Sequence, residues 1–131
     1  MLSNCPLAAF VGTTNAQRAK TFYRDTLGLR LVREDPIALA FDSNGTSLRV
    51  QLVKTVAPHP YTALGWRVTG IAAVVSDLQR AGVRFEHFEG IDQDVQGIWT
   101  SPDGTRVAWF KDPDGNLLSL ADFTASQSSK P

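Results

Sequence analysis

The hexapeptide Lys111-Asp112-Pro113-Asp114-Gly115-Asn116 decides the fold of this chain. Strand-like apolar runs lie on either side of it, at 107–110 and 117–121. Its proline holds φ at about −65° and lacks a backbone donor, and its Asp-Gly pair supplies the positive-φ corner of a hairpin. We therefore predict two adjacent antiparallel strands, with Trp109 before the turn and Ser119 after it at facing positions.

The first half of the chain has a strand, a helix and three further strands. Apolar residues 7–11 precede a helical pattern over 16–27, and Gly28 occupies the position that ends a helix. Strand-like runs follow at 29–33, 37–41 and 48–53, and the last two are joined by an Asn-Gly turn within residues 42–45.

The second half repeats this order. A strand is predicted at 63–68, and a helix at 69–81 ends at Gly82. Strand-like residues 83–85 and 98–100 then lie on either side of a polar, loop-like insertion at 86–96. The hexapeptide hairpin completes this half. Because neither half can bury its sheet alone, the fold class we predict is α+β, one domain of two tandem βαβββ modules forming a curved, cup-shaped mixed sheet. The predicted modules are 7–54 and 63–122, with a connector at 55–62 and a disordered tail at 124–131.

Three motifs in this order resemble a known superfamily. They are Phe22-Tyr23-Arg24-Asp25-Thr26-Leu27-Gly28, Gly82-Val83-Arg84-Phe85 and Asp112-Pro113-Asp114-Gly115-Asn116. These stretches look like the helix end, the following strand and the last turn of the vicinal oxygen chelate superfamily, which contains glyoxalases, bleomycin-resistance proteins and dioxygenases. The resemblance covers residues 7–122 and implies the fold rather than one activity, because this scaffold carries many chemistries.

The resemblance also implies a divalent metal site, held by His or Glu on four strands. In this chain those positions fall at Ala8, Gln51, Ala63 and Ser119. One amide and one hydroxyl are poor ligands for Zn, Mn or Fe, which need nitrogen, thiolate or carboxylate donors. We therefore expect no metal and no cofactor at this place.

Strand alternation predicts which side chains face the cup. The middle of the cup should be open, because the side chains that face it there are small. We predict a ligand-binding site for an aromatic or amphipathic molecule with an anionic or carbonyl group, formed by Phe10, Arg49, Gln51, Arg67, Val107, Trp109, Leu117 and Ser119. Three of these residues also have a structural interpretation: Trp109 as core, Gln51 as a partner of the backbone, and Arg67 as an ion-pair partner of Asp92 or Asp94.

Other aromatic, histidine and acidic residues are assigned structural roles. Trp66 should lie under its helix. The orientation of Trp99 is left open: pairing across the turn at 102–104 would set it opposite Ala108 and point it away from the cup, but the register of this short strand could slip. His59 is expected to be a surface loop residue. The acidic residues of the insertion, Glu89, Asp92 and Asp94, are expected to be solvated, with Ca²⁺ or Mg²⁺ binding as the alternative.

Composition narrows the class of partner. Thirteen basic and thirteen acidic residues cancel, whereas nucleic acids and anionic membranes select a basic excess. The N-terminus lacks the basic and apolar regions of a signal peptide, and the single cysteine, Cys5, has no internal partner. We expect a cytoplasmic protein whose partner is a small organic molecule, with no nucleic acid or membrane partner, and the family resemblance implies a homodimer.

Three functions are consistent with the sequence. The first is metal-free binding of a small molecule, as in the bleomycin-resistance branch. The second is an enzyme, a glyoxalase-like lyase, isomerase or dioxygenase, with an atypical or displaced metal site. The third is a structural or interaction domain whose cup is filled by its own side chains. The sequence contains no nucleophile constellation and no phosphate-binding glycine motif that would favour another chemistry.

Overall fold

The structure is a computed structural model, and residues 1–125 are described. The chain forms two compact units. The first unit comprises Met1–Pro58 and Asp112–Asn116, and the second comprises His59–Lys111 and the chain from Leu117 onward. The boundary at 58/59 falls within the expected connector. Most of the predicted tail, residues 126–131, lies outside the described residues.

Each unit contains one four-stranded mixed sheet and one principal helix. The first unit contains β1 (Ala8–Thr13), α1 (Ala16–Lys20), a π-helical segment (Thr21–Thr26), β2 (Arg30–Glu34), β3 (Ala38–Ser43) and β4 (Thr46–Leu52). The second unit contains β5 (Leu64–Arg67), α2 (Ile71–Arg80), β6 (Trp99–Thr100), β7 (Arg106–Lys111) and β8 (Leu117–Asp122). The strand orders are β1-β4-β3-β2 and β5-β8-β7-β6. The predicted α+β class and the repeat of two βαβββ modules are therefore confirmed.

In the first unit, one face of the sheet packs against the helix. Tyr23, from the π-helical segment, is fully buried, and its ring centroid lies 5.9 Å from that of Phe41 on β3. Leu48 and Val50 on β4 are buried on the same face. We call the opposite face of each sheet its open face. The hairpin between β3 and β4 turns at Asn44 and Gly45, with φ values of 49° and 90°, as its Asn-Gly sequence predicts.

In the second unit, α2 begins at Ile71, two residues later than predicted. Gly70, the N-cap residue of α2, adopts φ 68° and has no side chain that could cap the helix. Asp122 on β8 caps it instead, because its Oδ2 accepts from the Ile71 N–H at 3.2 Å. Ile71 and Val75 are buried, as are Phe110 on β7 and Leu118 and Leu120 on β8. Together these residues form the core of this unit on the helix side of its sheet.

The strand predicted at 83–85 is wrong as a regular element. Phe85 forms only an isolated antiparallel bridge with Phe110, and the Glu86 N–H donates to the Trp109 carbonyl at 2.8 Å. The chain then leaves the sheet and returns at β6, which also pairs with β7. Residues 83–85 and β6 are thus two parts of one edge strand, interrupted by the excursion at 86–98.

The turn at Asp112–Asn116 connects β7 and β8 and belongs to the first unit. The buried Asp112 carboxylate accepts from the Tyr23 hydroxyl at 2.7 Å and from the Asn116 amide at 2.8 Å, as well as from two backbone N–H groups of the turn. Burial, followed by the charge of Asp112, raises the pKa of Tyr23 far above its ordinary value, so this hydroxyl remains a donor. The Asn116 amide also donates to the Gly12 carbonyl at 2.9 Å.

Asp114, in the same turn, binds the start of the first helix. Its carboxylate accepts from the Thr13 hydroxyl at 2.6 Å, from the backbone and hydroxyl of Thr14, and from Arg18 at 2.9 Å. Burial alone would raise the pKa of Asp114, but these hydrogen bonds and the Arg18 charge outweigh it and lower the pKa. The hexapeptide therefore supplies hydrogen bonds to the first unit as well as a hairpin corner.

No helix within residues 1–125 has the length and apolar character needed to cross a lipid bilayer.

Candidate functional site

The open face of the first sheet carries a row of four residues across its strands. The register pairs Phe10 on β1 with Arg49 on β4, Arg49 with Ala40 on β3, and Ala40 with Arg33 on β2. Directly paired residues share one face of a sheet. Phe10 is 53% exposed and Arg49 is half-buried. Two arginines therefore lie on either side of a single alanine, with an aromatic ring beside one of them.

A second row of the same face contains small residues and an amide. Gln51 pairs with Gly12 on one side and with Ala38 on the other. Gln51 is exposed, and neither its amide nor the Arg49 guanidinium has a hydrogen-bond or ion-pair partner within residues 1–125. Both polar groups are available for a ligand, in contrast to the structural role considered for Gln51.

Arg33 is a residue that strand alternation misses. Counting from Arg30, which pairs with Asp42 on the open face, strict alternation places Arg33 on the helix side. A β-bulge between Leu31 and Arg33 inserts Val32 as an extra residue and returns Arg33 to the open face. A bulge of this kind leaves no clear pattern in the amino-acid sequence.

In the second unit, the open face carries the other predicted site residues. Trp109 pairs with Ser119, and Ser119 pairs with Gly65 on β5. Val107 and Arg67 both pair with Ala121. Ser119 is only 8% exposed and Leu117, the last of the predicted residues, 7% exposed, whereas Val107 and Trp109 are half-buried and Arg67 is exposed.

Arg67 has an aromatic partner. Its guanidinium carbon lies 5.0 Å from the centroid of the Phe123 ring, a cation–π distance. Within the described chain no ion pair joins Arg67 to Asp92 or Asp94. The carboxylate of Asp94 accepts instead from the backbone N–H groups of Gln96 and Ile98, each at 2.9 Å, so it stabilises the excursion.

The structure decides the orientation of Trp99, which the sequence left open. Trp99 pairs with Val107 and not with Ala108, and a shift of one residue moves a side chain to the other face of a sheet. Trp99 therefore shares the open face with Trp109, and the two ring centroids lie 6.3 Å apart. Trp66 lies on the helix side as predicted, with its ring stacked on Phe110 at 6.3 Å.

The excursion at 86–98 contributes a third ring, which the sequence interpretation missed. Phe88 meets Trp109 edge to face, with centroids 5.6 Å apart. Gln93 holds this part of the loop, because its amide donates to the carbonyls of Glu86 and Gly97 and its oxygen accepts from the Phe88 N–H at 2.7 Å. The sequence does contain one indication of this role, because Phe88 is an aromatic residue within the polar insertion. We call Phe88, Trp99 and Trp109 the ring cluster.

The four positions at which the family resemblance implies metal ligands carry no donors that suit a transition metal. Ala8 and Ala63 end in methyl groups, and Gln51 and Ser119 offer only an amide and a hydroxyl. The Ser119 hydroxyl is packed against Gly65 so closely that a Cβ added there would lie 2.8 Å from its Oγ. Within residues 1–125 no three His, Cys, Asp or Glu side chains converge as a metal site, and His59 is exposed and stacked on Tyr61.

Comparison with known protein families identifies the class of this protein. The model of the glyoxalase/bleomycin resistance protein/dioxygenase superfamily matches residues 7–120. The chain belongs to this superfamily. No curated protein sequence matches it significantly.

Solved structures of similar fold include binding proteins and enzymes. TnmS3, an antibiotic-binding protein from Streptomyces sp. CB03234, is 27% identical over 93% of this chain and 98% of its own, with a TM-score of 0.68. A superfamily member from Sphaerobacter thermophilus DSM 20745 is 24% identical over 93% and 99%, with a TM-score of 0.72. A lactoylglutathione lyase from Agrobacterium tumefaciens is 16% identical over 93% and 96%, with a TM-score of 0.70. The last two likenesses concern the fold alone.

Proposed function

We propose that this protein binds a small aromatic or amphipathic organic molecule without metal chemistry, and that the ring cluster of the second unit forms part of the binding surface. The supporting observation is the position of Trp109. Its indole lies between Trp99 and Phe88 on the open face, whereas the core of this unit is on the helix side. A planar aromatic ligand could add to these tilted and edge-to-face contacts, because aromatic rings attract one another in offset and edge-to-face arrangements.

Polar groups around the cluster support an amphipathic ligand. Arg67 is exposed on the open face of the same sheet, with Phe123 against its guanidinium. A guanidinium stacked in this way keeps its N–H groups free for a carboxylate or carbonyl oxygen. Ser119, Val107 and Leu117 are proposed as the floor of the surface, because all three are paired into β7 and β8 beside Trp109.

The comparisons support binding without settling the ligand. TnmS3 shows that a structurally similar chain binds an antibiotic, and the lactoylglutathione lyase shows that the same fold also carries an enzyme. A shared fold does not transfer a function. The donor set at the usual metal positions favours the binding role, because an amide and a hydroxyl are poor ligands for a catalytic metal.

The test is a thermal-shift screen of uncharged aromatic molecules and antibiotics, followed by titration of the hits. A ligand that binds only the native state at about 100 times its Kd stabilises the protein by about 2.7 kcal/mol. We expect Trp109→Ala to abolish the shift. Trp66→Phe is the matched control, because Trp66 stacks on Phe110 at the helix side and its replacement should leave the ligand response intact. An unchanged response in Trp109→Ala would refute the assignment.

Metal analysis separates the binding role from the enzyme alternative. Protein purified without chelator should contain no stoichiometric Mn, Zn, Ni or Fe. One equivalent of any of these ions would overturn the binding proposal and favour an enzyme with a displaced metal site. A screen in which no aromatic molecule binds would favour the structural or interaction role.

A further inference from the structure

The open face of the first sheet has a charge imbalance that the fold does not use. Arg33 and Arg49 pair with the same residue, Ala40, from opposite sides. Their Cα atoms are thus two strand spacings, or about 10 Å, apart. The side chain between the two arginines is only a methyl group.

One carboxylate lies near both arginines and is already occupied. Asp35 Oδ1 accepts from the backbone N–H groups of Ile37 at 2.8 Å and Ala38 at 3.0 Å, and Oδ2 lies 3.6 Å from Arg33. These backbone hydrogen bonds, followed by the charges of Arg33 and Arg49, lower the pKa of Asp35. Two positive charges thus lie near one negative charge, and Arg49 has no direct partner within residues 1–125.

The neighbours of Arg49 define the rest of the surface. Phe10, 53% exposed, is directly paired with Arg49, and Gln51 follows two residues later on the same strand and face. An exposed ring shares this face with a guanidinium and an amide that have no partner among residues 1–125. An aromatic ring beside a carboxylate-binding fork matches a planar organic acid.

We propose that the open face of the first sheet binds the anionic group of an aromatic acid, with Arg49 as the principal ligand-binding residue and Arg33 as the second. The acid's oxygens accept from the two guanidinium groups above Ala40, and its ring lies against Phe10. The bulge at Val32 is the element that makes this possible, because it places Arg33 on the open face. This proposal concerns the first unit alone and does not rest on the ring cluster.

The experiment compares two probes of equal size, 2-naphthoate and neutral 2-naphthamide, by calorimetric titration of the full chain. We expect the wild-type protein to bind 2-naphthoate about tenfold or more tightly, as for a charge-assisted pair. Arg49→Met keeps the aliphatic stem and should bring the ratio of the two affinities close to one. Arg33→Met should lower the ratio partially, and Arg24→Met is the control, because Arg24 lies on the helix and pairs with Asp25.

The outcomes that overturn the proposal are specific. Equal affinities of the wild type for the two probes would overturn it, as would no binding of 2-naphthoate at millimolar concentration, or a preference for 2-naphthoate that persists in Arg49→Met. If Arg49→Met does not fold, Arg49→Lys and the wild type at high salt replace it, since both should reduce the preference. The preference should persist in Trp109→Ala, which separates this proposal from the proposed function.

Discussion

The open face of the first sheet carries two arginines across β2 and β4, whereas the open face of the second carries indole rings on β6 and β7. The backbone plan is the same in the two units. In both, the strand that follows the helix is an edge strand of its sheet and departs from regular pairing. A one-residue bulge alters it in the first unit, and the excursion at 86–98 interrupts it in the second.

An edge strand tolerates such changes because it is hydrogen-bonded on one side only. The bulge brings Arg33 to the open face, and the excursion brings Phe88 against Trp109. The inner strands β3, β4, β7 and β8 keep regular registers, and their helix-side residues form the cores. This repeat therefore separates the residues that stabilise a unit from those that distinguish its open face.

The largest effect on stability is expected from replacing Phe110, and its neighbour Trp109, on the opposite face of β7, provides the comparison. Phe110 is fully buried at the helix side, so Phe110→Ala should reduce the free energy of unfolding by about 3–5 kcal/mol. Trp109→Ala should cost less, about 1–3 kcal/mol, because the half-buried indole loses its aromatic contacts and only part of a full apolar burial. Urea denaturation measures both. Equal losses would mean that Trp109 is a core residue and would end the distinction between the two faces.

The second comparison is between turns. Asp112→Ala should cost about 2–4 kcal/mol, because the buried Tyr23 hydroxyl and Asn116 amide both donate to this carboxylate and would lose their acceptor. Asp103 also receives hydrogen bonds within its own turn, from Ser101 and Thr105, but it is exposed. Asp103→Ala should therefore cost about 1 kcal/mol or less. Chemical denaturation of the two variants measures the difference, and similar losses would show that the Asp112 network adds nothing beyond the turn.

Local sequence patterns predict the parts of this fold that depend on neighbouring residues. Gly28 and Gly82 adopt φ values of 78° and 98° after the helices, because a helix end selects a residue that tolerates the left-handed region. Asn44 and Gly45 form their turn for the same reason. The alternation of β1, β4, β7 and β8 likewise predicts which residues share a face, since these strands have no bulge.

What could not be predicted depends on contacts between distant parts of the chain. The sequence left the face of Trp99 open because β6 is two residues long, and its register is set by the preceding excursion and the turn rather than by its own pattern. Arg33 was missed because nothing local marks the bulge. The partners of Asp112 and Asp114 lie 89 and 101 residues away, so the hexapeptide alone predicts a turn but not the residues that it holds.

The smallest effect concerns two carboxylates that receive hydrogen bonds near the helix starts, Asp114 in the first unit and Asp122 in the second. Hydrogen bonds from Thr124 contribute most to lowering the pKa of Asp122, and the pKa of Asp114 is lowered by its threonine partners and Arg18 against the effect of burial. A lowered pKa in the folded state means that the unfolded state binds more protons. The stabilisation is therefore complete above the unfolded value of about 3.9 and is lost as the pH falls through the folded pKa. Asp114→Asn and Asp122→Asn should each be less stable than the wild type at pH 7, and each difference should shrink below about pH 4 in pH-dependent urea denaturation.

Salt distinguishes the two carboxylates, because Arg18 is 46% exposed beside Asp114 and its attraction is screened. A salt-independent difference for Asp114→Asn would show that the threonine hydrogen bonds, and not the ion pair, carry its contribution.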